Sequence, residues 1–594
     1  MAAFMLYVMA APPGFYWLES AELSAAVVAL GVPHPTGFPL YCIVAKAASL
    51  VPVGELAFRI ELVSAVCASL AVFWVTRLVL ELCRGDGHAL VGAAVAGTLL
   101  ALSAVFLRQA TVAEVYAPSA ALLAGGLLLL DQVSRGGDAR WGLALALVCG
   151  LGLALHISAW LLGPVAVALM GVRLYRGARW PLVAPLVALT MAGAASAYLP
   201  VRSASGRVAA LDRGHPDQAG ALLAHVSTPS IRSAPGGASG DENGAPGQEL
   251  MAPRAQALVE DMADHVGPIA PLAALPGLVW LVRQRRSRWP AAALIAIGVG
   301  DVLYALLVNP WGQADWQNGV PLAVVVSAGA GAGVAWLSRF LRGAGPFAGA
   351  VAGVLLVLPP ALVSVPAVWP ASAPGGMPGQ GLDTPRAWAE AALAATPPRG
   401  LALVQHRATA AGLLYLTEVE QARPDVAVVV RQLLADSDPG YVRAALARGG
   451  MDTSGLDHDV DPARRWAWIL AQERPVSWEL GRDDLPAGMD VRIAAPLVAL
   501  VPRNDDDRAS DHGAIAGGAI TGAAQTLARI FAGTGGRDRI ARREHARALA
   551  SLGRAAHGLG DRRLAAELLG RALRLDPGQR DLAAQRGVSA RSEE

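Results

Sequence analysis

Two carboxylates and a histidine make the first case for chemistry. Glu19 and Glu22 lie three residues apart in WLESAEL (17–23). On a helix, residues at that spacing share one face. A carboxylate that reaches a bound hydroxyl can take its proton. A second reading competes. Ser20 could cap a helix over AELSAAVVAL, with Glu22 in its first turn. His34 follows in VPHPTGFPLY, where Pro33, Pro35 and Pro39 stiffen the backbone and exclude a helix. Gly37 permits a left-handed conformation or close approach to a ligand.

Further polar groups recur at distant points of an otherwise apolar chain. RQATVAEVY (108–116) carries Arg108, Glu114 and Tyr116. His156 sits in a turn within the apolar stretch 141–172, and YLPVR brings Arg202 to the end of another. For Arg202, snorkelling of a long cationic side chain is an equal alternative. Arg59 in AFRIELVSA, His225 in the following loop, and Asp315 between Trp311 and Trp316 complete the candidates. Arginine suits a phosphate because its planar fork matches two oxygens at once. Acids, histidines, arginines and aromatics together therefore suit a phosphate-bearing lipid substrate. No glycine-rich phosphate loop, nucleophile elbow or zinc-ligand spacing accompanies them. The acidic runs 436–438 and 505–507 read as solvated surface.

The elements that must position these groups are membrane helices. Of 594 residues, 54% are hydrophobic and only 16% charged, with mean hydropathy +0.42. A soluble domain carries about 25% charged residues. A net charge of +2 offers nothing to nucleic acid. The cysteines, Cys42, Cys67, Cys83 and Cys149, lie in or beside apolar runs without metal-type spacing. Apolar runs predict about eleven spans, near 2–14, 57–81, 88–107, 113–131, 141–155, 157–172, 181–200, 267–283, 290–308, 320–338 and 344–369. The first run has no basic residue before it and falls short of the ~20 residues a span needs. It predicts a short first helix or a start upstream of Met1. Arginine-bearing turns at Arg84, Arg135/Arg140, Arg173–Arg179, 283–288 and Arg339/Arg342 fall on one side, the cytoplasm by the positive-inside rule. The candidate residues fall on the other, with outer loops 15–56 and 201–266. YCIVAKAASLVP (41–52) reads as a helix lying on the membrane surface.

After residue 370 the composition changes. LALVQH (401–406), DVAVVV (425–430) and DVRIAAPLVALVP (490–502) read as strands, and TAAGLLYLTEVEQA as a helix between the first two. This predicts a small α/β extracytoplasmic domain over 371–502 and a polar linker over 503–518. In 546–577, Leu552, Gly553, Gly560, Ala565, Leu569, Ala572 and Pro577 stand at tetratricopeptide-repeat positions. One repeat does not bury its own face, so the helical region 519–594 reads as a capping or docking element for a protein partner. The predicted fold class is thus an all-α polytopic membrane domain (1–370), a small α/β domain and a helical C-terminus.

The ordered series ESAELSAAVVALGVPHPTGFPLY (19–41), AFRIELVSA (57–65), ATVAEVYA (110–117), GLGLALHISAWLLGP (150–164), YLPVRSA (198–204) and HVS (225–227) resembles a family of GT-C-class membrane glycosyltransferases. The family groups bacterial proteins with the vertebrate protein O-mannosyltransferase that modifies plexin-type domains, and the resemblance runs over roughly 5–340. It implies a polyprenyl-phosphate-linked sugar donor, an acceptor hydroxyl on an exported protein, glycan or lipid, and a multi-pass protein of the bacterial inner membrane working on the outer face. It implies an acid of the first outer loop as catalytic base, placed at Glu19 or Glu22, with His34 and Arg202 toward the phosphate. Enzymes of the class divide between those that use a divalent cation and those that do not, so no metal ligand is assigned.

The chain departs from the pattern at three places. Glu19 stands where Asp is usual, Glu61 where Asn is usual, and AALDRGHP (209–216) where a Trp-Gly pair is usual. Displacement of a catalytic group by about an ångström costs on the order of 100-fold in rate. Two other functions remain open at this stage: a transporter or flippase of lipid-linked sugars, and an inactive scaffold of envelope assembly.

Overall fold

The computed structural model describes residues 1–206, 209–227, 251–309, 317–340 and 383–435, a few residues between 351 and 361, and, with short breaks, stretches from 440 to 577. Asp315, both acidic runs, the centre of the 201–266 loop, most of the expected span 344–369 and residues 503–511 of the linker lie outside the described residues.

The chain is a multi-pass membrane protein. Among the described residues, six helices are long and apolar enough to cross a bilayer: Leu56–Leu82, Tyr116–Ser134, Ile157–Tyr175, Trp180–Ala204, Arg288–Val308 and Val320–Arg339. Ala89–Leu102 and Ala104–Thr111 form a seventh if a 62° bend is counted within one span. Eleven were expected over the whole chain, one of them, 344–369, mostly outside the described residues. The helix Ala2–Ala10 has nine residues, about 14 Å at 1.5 Å per residue against a ~30 Å hydrocarbon core. Ala139–Leu153 and Ala270–Arg283 are apolar but short. The stretch 141–172 is indeed broken, with His156 at the turn between two helical pieces.

Val320–Phe340 runs through the middle of the bundle. Small residues let its neighbours approach it. A Cβ added at Gly277 of Ala270–Arg283 would lie 2.0 Å from the Gly329 carbonyl oxygen, and one at Gly92 of Ala89–Leu102 would lie 2.4 Å from that of Gly331. Small faces of this kind permit close helix contact without a hydrophobic driving force between helices. At one end of the bundle the arginine-bearing turns converge. Arg135 reaches Asp131 at 2.7 Å and Glu81 at 3.6 Å, and Arg339 pairs with Asp86. The opposite end gathers the described residues among those singled out above.

There the helix Glu19–Ala29 lies against the ends of the spans. Its C-terminus turns at Leu30, and Val32 then pairs with 211–213: the Val32 amide donates to the Leu211 carbonyl at 2.8 Å, and Arg213 donates to Val32 at 3.0 Å. Pro39–Ser49 forms the expected helix. It buries Tyr41, Cys42 and Ala45 and leaves Ile43, Val44 and the following Leu50 (71% exposed) outward.

Residues Thr384–Pro502 contain a five-stranded mixed sheet of order β2-β1-β3-β5-β4: β1 Leu401–Val404, β2 Ala427–Val430, β3 Val476–Trp478, β4 Met489–Ala494 and β5 Leu497–Pro502. Strand β1 runs parallel to both β2 and β3, while β5 is antiparallel to β3 and β4. The single strand expected over 490–502 is thus a hairpin. Pro496, which has no amide hydrogen to donate, lies between its two strands. The apolar residues of β1 and β2 are fully or nearly fully covered and share one core with Phe15, Ala21, Ala25, Ala57 and Leu211 of the membrane-embedded half.

Beyond the sheet, His512–Phe531, Arg539–Gly558 and Arg562–Leu575 form a helical array. The last two make an antiparallel hairpin. Gly553 admits Leu569, whose side chain would stand 3.0 Å from an added Cβ. Asp561 caps the second helix by accepting the Leu564 amide at 3.0 Å. The array packs on Tyr16 and Trp17, with Trp17 stacked on Phe531 at 6.0 Å.

Candidate functional site

The first helical turn after Trp17 places both acids. The helix begins at Glu19 with Leu18 as N-cap, and no side chain caps it. Ser20 is therefore not the N-cap; its hydroxyl instead accepts the Ala113 amide at 3.2 Å and ties the helix to the Glu114 turn. Glu22 does not complete a capping box either. Its Oε1 accepts the His34 amide at 3.1 Å, and its Oε2 lies 3.2 Å from His34 Nδ1. Carboxylates in a first helical turn also meet the positive end of the helix dipole.

His34 bridges the two acids. Its other ring nitrogen, Nε2, is 3.7 Å from Glu19 Oε1. Glu19 has two further partners that the sequence did not reveal. Arg407, the first residue of the helix after β1, pairs with Oε1, and Gln317 donates to Oε2 at 2.6 Å. Glu22 has one more: Arg213 Nε stands 3.7 Å from its Oε1.

These contacts decide the ionisation. Burial alone would raise both acids, which are each 8% exposed. For Glu19 the charges of Arg407 and His34 outweigh it, and the carboxyl is held below its usual range. For Glu22 burial is outweighed by His34, through charge and hydrogen bond, and by Arg213 and Arg407. Burial would lower His34, but the two acids reverse this and raise it. The centre is thus two buried carboxylates, a histidine whose charged form they favour, and two partly exposed guanidiniums in one network.

Glu114 differs. Burial and the neighbouring Glu19 push its carboxyl well above the usual range. It lines a small cleft with Tyr16, Ser20, Arg108, Gln317 and Ile540. Arg108 closes that cleft, its guanidinium 4.8 Å over the Tyr16 ring. A row of rings continues from His34: Phe38 at 5.1 Å, then His156 at 6.0 Å, which meets Tyr116 at 5.1 Å and Tyr304 at 6.2 Å. His156 is fixed by its own turn. Nδ1 accepts the Ser158 amide at 3.2 Å, and burial lowers the ring to about 4, so it is neutral near pH 7.

The remaining candidates sit apart from the acids or behind them. His225 is 3% exposed, and burial and the His34 charge lower it to about 4. It backs the 33–37 loop: a Cβ added at Gly37 would stand 3.0 Å from its Nε2, so the glycine, at φ +81°, is needed for space as well as conformation. Arg202 donates from Nε to the Leu30 carbonyl at 2.7 Å, which braces the end of the Glu19–Ala29 helix. Arg59 binds the Ser49, Val53 and Gly54 carbonyls and holds the 49–54 turn. Among the described residues, no cluster of three or more His, Cys, Asp or Glu could hold a metal ion.

Arg407, Arg213 and Gln317 were the omissions. One sequence signal existed for Arg407, which follows the carboxyl end of a parallel strand, the edge at which open α/β sheets bind ligands. Nothing in the sequence indicates that this edge faces Glu19.

The geometry can be set beside known proteins. ArnT from Cupriavidus metallidurans in the apo state aligns with a TM-score of 0.49 at 13% identity, covering 84% of this chain and 96% of ArnT. The same enzyme bound to undecaprenyl phosphate aligns with a TM-score of 0.43, at the same identity and coverage. Residues 19–178 match the family model of the protein O-mannosyl-transferase TMEM260 N-terminal domain. That range holds Glu19, Glu22, His34, Glu114, Tyr116 and His156, and it ends before Arg202, Arg213, Gln317 and Arg407. Over residues 19–178 the chain is therefore similar to the N-terminal domain of the protein O-mannosyl-transferase TMEM260.

Proposed function

We propose that the chain is a membrane glycosyltransferase that moves a sugar, mannose by resemblance, from a polyprenyl-phosphate donor to a hydroxyl of an exported protein or envelope glycan or lipid. The observation that carries this reading is the His34-bridged pair Glu19 and Glu22, both buried, at the opening of the matched domain. Glu19 is the base. It adjoins the cleft of Tyr16, Arg108 and Glu114, whereas Glu22 is engaged by both the backbone and the ring of His34. Glu19 takes the acceptor proton as the acceptor oxygen bonds to the anomeric carbon. The bond from that carbon to the phosphate oxygen breaks, with inversion. The phosphate leaves beside His34 and Arg213, where its charge is stabilised. The rings of Phe38, Tyr116, His156 and Tyr304 form an apolar wall for the lipid-linked sugar.

The reading places the protein in the bacterial inner membrane with this face outward. It divides the chain into a membrane domain (1–370), an extracytoplasmic α/β domain (371–502), a linker (503–518) and a tetratricopeptide-like helical region (519–594) that docks a protein partner. Reconstitution in liposomes with a labelled polyprenyl-phosphate mannose tests the reaction. Label transferred to a hydroxyl-bearing acceptor supports it. Label that crosses the bilayer while still attached to lipid identifies a flippase instead, and neither outcome leaves a scaffold.

A further inference from the structure

Both acids are tied to the sheet-bearing unit, which lies outside the matched residues. Strand β1 has β2 on one side and β3 on the other, all three parallel. The β1–β2 connection therefore runs one way across the sheet and the β2–β3 connection the other, which makes the kind of crevice at the strands' carboxyl ends where open sheets bind ligands. The residues past those strand ends are Gln405, His406 and Arg407 after β1, Arg431 after β2 and Glu479 after β3. Glu479 is 3% exposed, and its Oε2 accepts the Gln405 and His406 amides at 2.7 and 2.8 Å. That pair of hydrogen bonds fixes the backbone from which Arg407 projects. The Arg407 side chain, about one-third exposed, then reaches Glu19. A second tie runs in parallel: Arg213, near Glu22, lies 5.0 Å over the Tyr441 ring.

A guanidinium held on the carboxylate that must act as base poses a contradiction unless the contact is exchanged during the reaction. An arriving phosphate offers that exchange, since it presents a fork of anionic oxygens to the same group. We propose that Arg407 is a ligand of the substrate's phosphate. On donor binding it passes from Glu19 to a phosphate oxygen and leaves Glu19 to accept the acceptor's proton. This rests on the reading above and adds to it that the active site is completed by the sheet-bearing unit. The proton goes from the acceptor hydroxyl to Glu19, the new carbon–oxygen bond forms, and the departing phosphate keeps its electron pair beside Arg407.

The test is binding of undecaprenyl phosphate against undecaprenol to the full-length protein in detergent. The wild type is expected to prefer the phosphate form. Arg407→Ala should reduce that preference roughly 10- to 100-fold, the effect of losing a charge-assisted hydrogen bond. Arg407→Lys should restore part of it. Arg386 is the control: it joins the two units through Glu55 at 3.0 Å and Glu420 at 2.5 Å, away from the acids. Arg386→Ala should keep the preference. A preference within twofold of wild type in Arg407→Ala overturns the proposal, as does an equal loss in Arg386→Ala, which would mark a docking effect. Arg407→Gln carries the same threshold if the alanine variant is not recovered. A wild type that does not distinguish the two lipids overturns the glycosyltransferase reading itself.

Discussion

His34 joins Glu19 to Glu22: its Nδ1 is 3.2 Å from Glu22 and its Nε2 is 3.7 Å from Glu19. The ring therefore bridges the two carboxylates and, in the charged form they favour, neutralises part of each. The 33–39 loop exists in this form because its prolines, and the glycine packed against His225, leave the backbone little freedom.

The pH dependence follows from that bridge. His34 is raised above its ordinary 6.5, so its contribution to stability is complete below that value and is lost as pH rises through the raised one. Glu22 is lowered, so its contribution is complete above the ordinary carboxylate range and is lost as pH falls through the lowered value. His34→Gln removes a cation from both acids. The acid limb of the transfer rate should move up by on the order of one pH unit. A pH–rate profile of the variant checks this, and an unmoved acid limb would contradict it.

Glu61 lies fully buried in the Leu56–Leu82 span, with neither carboxyl oxygen hydrogen-bonded among the described residues. An unsatisfied buried polar group costs about 1–3 kcal/mol. Glu61→Leu should therefore raise the thermal unfolding temperature in detergent. A destabilised variant would show that the carboxylate has a partner or a task in the membrane.

The helical array is seated by aromatic contact. Trp17 is 3% exposed and stacks on Phe531, which Trp388 also meets at 5.7 Å. Trp17→Ala should cost about 3–5 kcal/mol at this interface. Faster proteolytic release of the 512–577 helices is the expected readout. An unchanged cleavage rate would mean that other contacts seat the array.

How much of this the sequence disclosed depended on how local the cause was. Helical spacing put Glu19 and Glu22 on one face, and proline chemistry made the His34 loop. Strand signals located β1 and β2 almost to the residue, because their apolar runs are covered on both sides of the sheet. What failed was non-local or weakly marked. Three residues of β3 leave no readable pattern. The capping role for Ser20 lost to a bond with the Ala113 amide, 93 positions away. Arg213, Gln317 and Arg407 reach the acids only because three separated segments meet at one end of the bundle. Hydropathy also does not distinguish a short packed helix, such as Ala2–Ala10, from one that crosses.

The most direct measurement is sugar transfer by Glu19→Gln compared with Glu22→Gln, in protein verified to be inserted and folded. Gln keeps the size and the hydrogen-bonding reach of Glu19 but cannot take a proton. Glu19→Gln should lose at least 100-fold in kcat, the low end of what general-base catalysis contributes. Glu22→Gln should retain measurable turnover, because its part is to hold His34. Transfer by Glu19→Gln at the wild-type rate would contradict the assignment of Glu19 as the base.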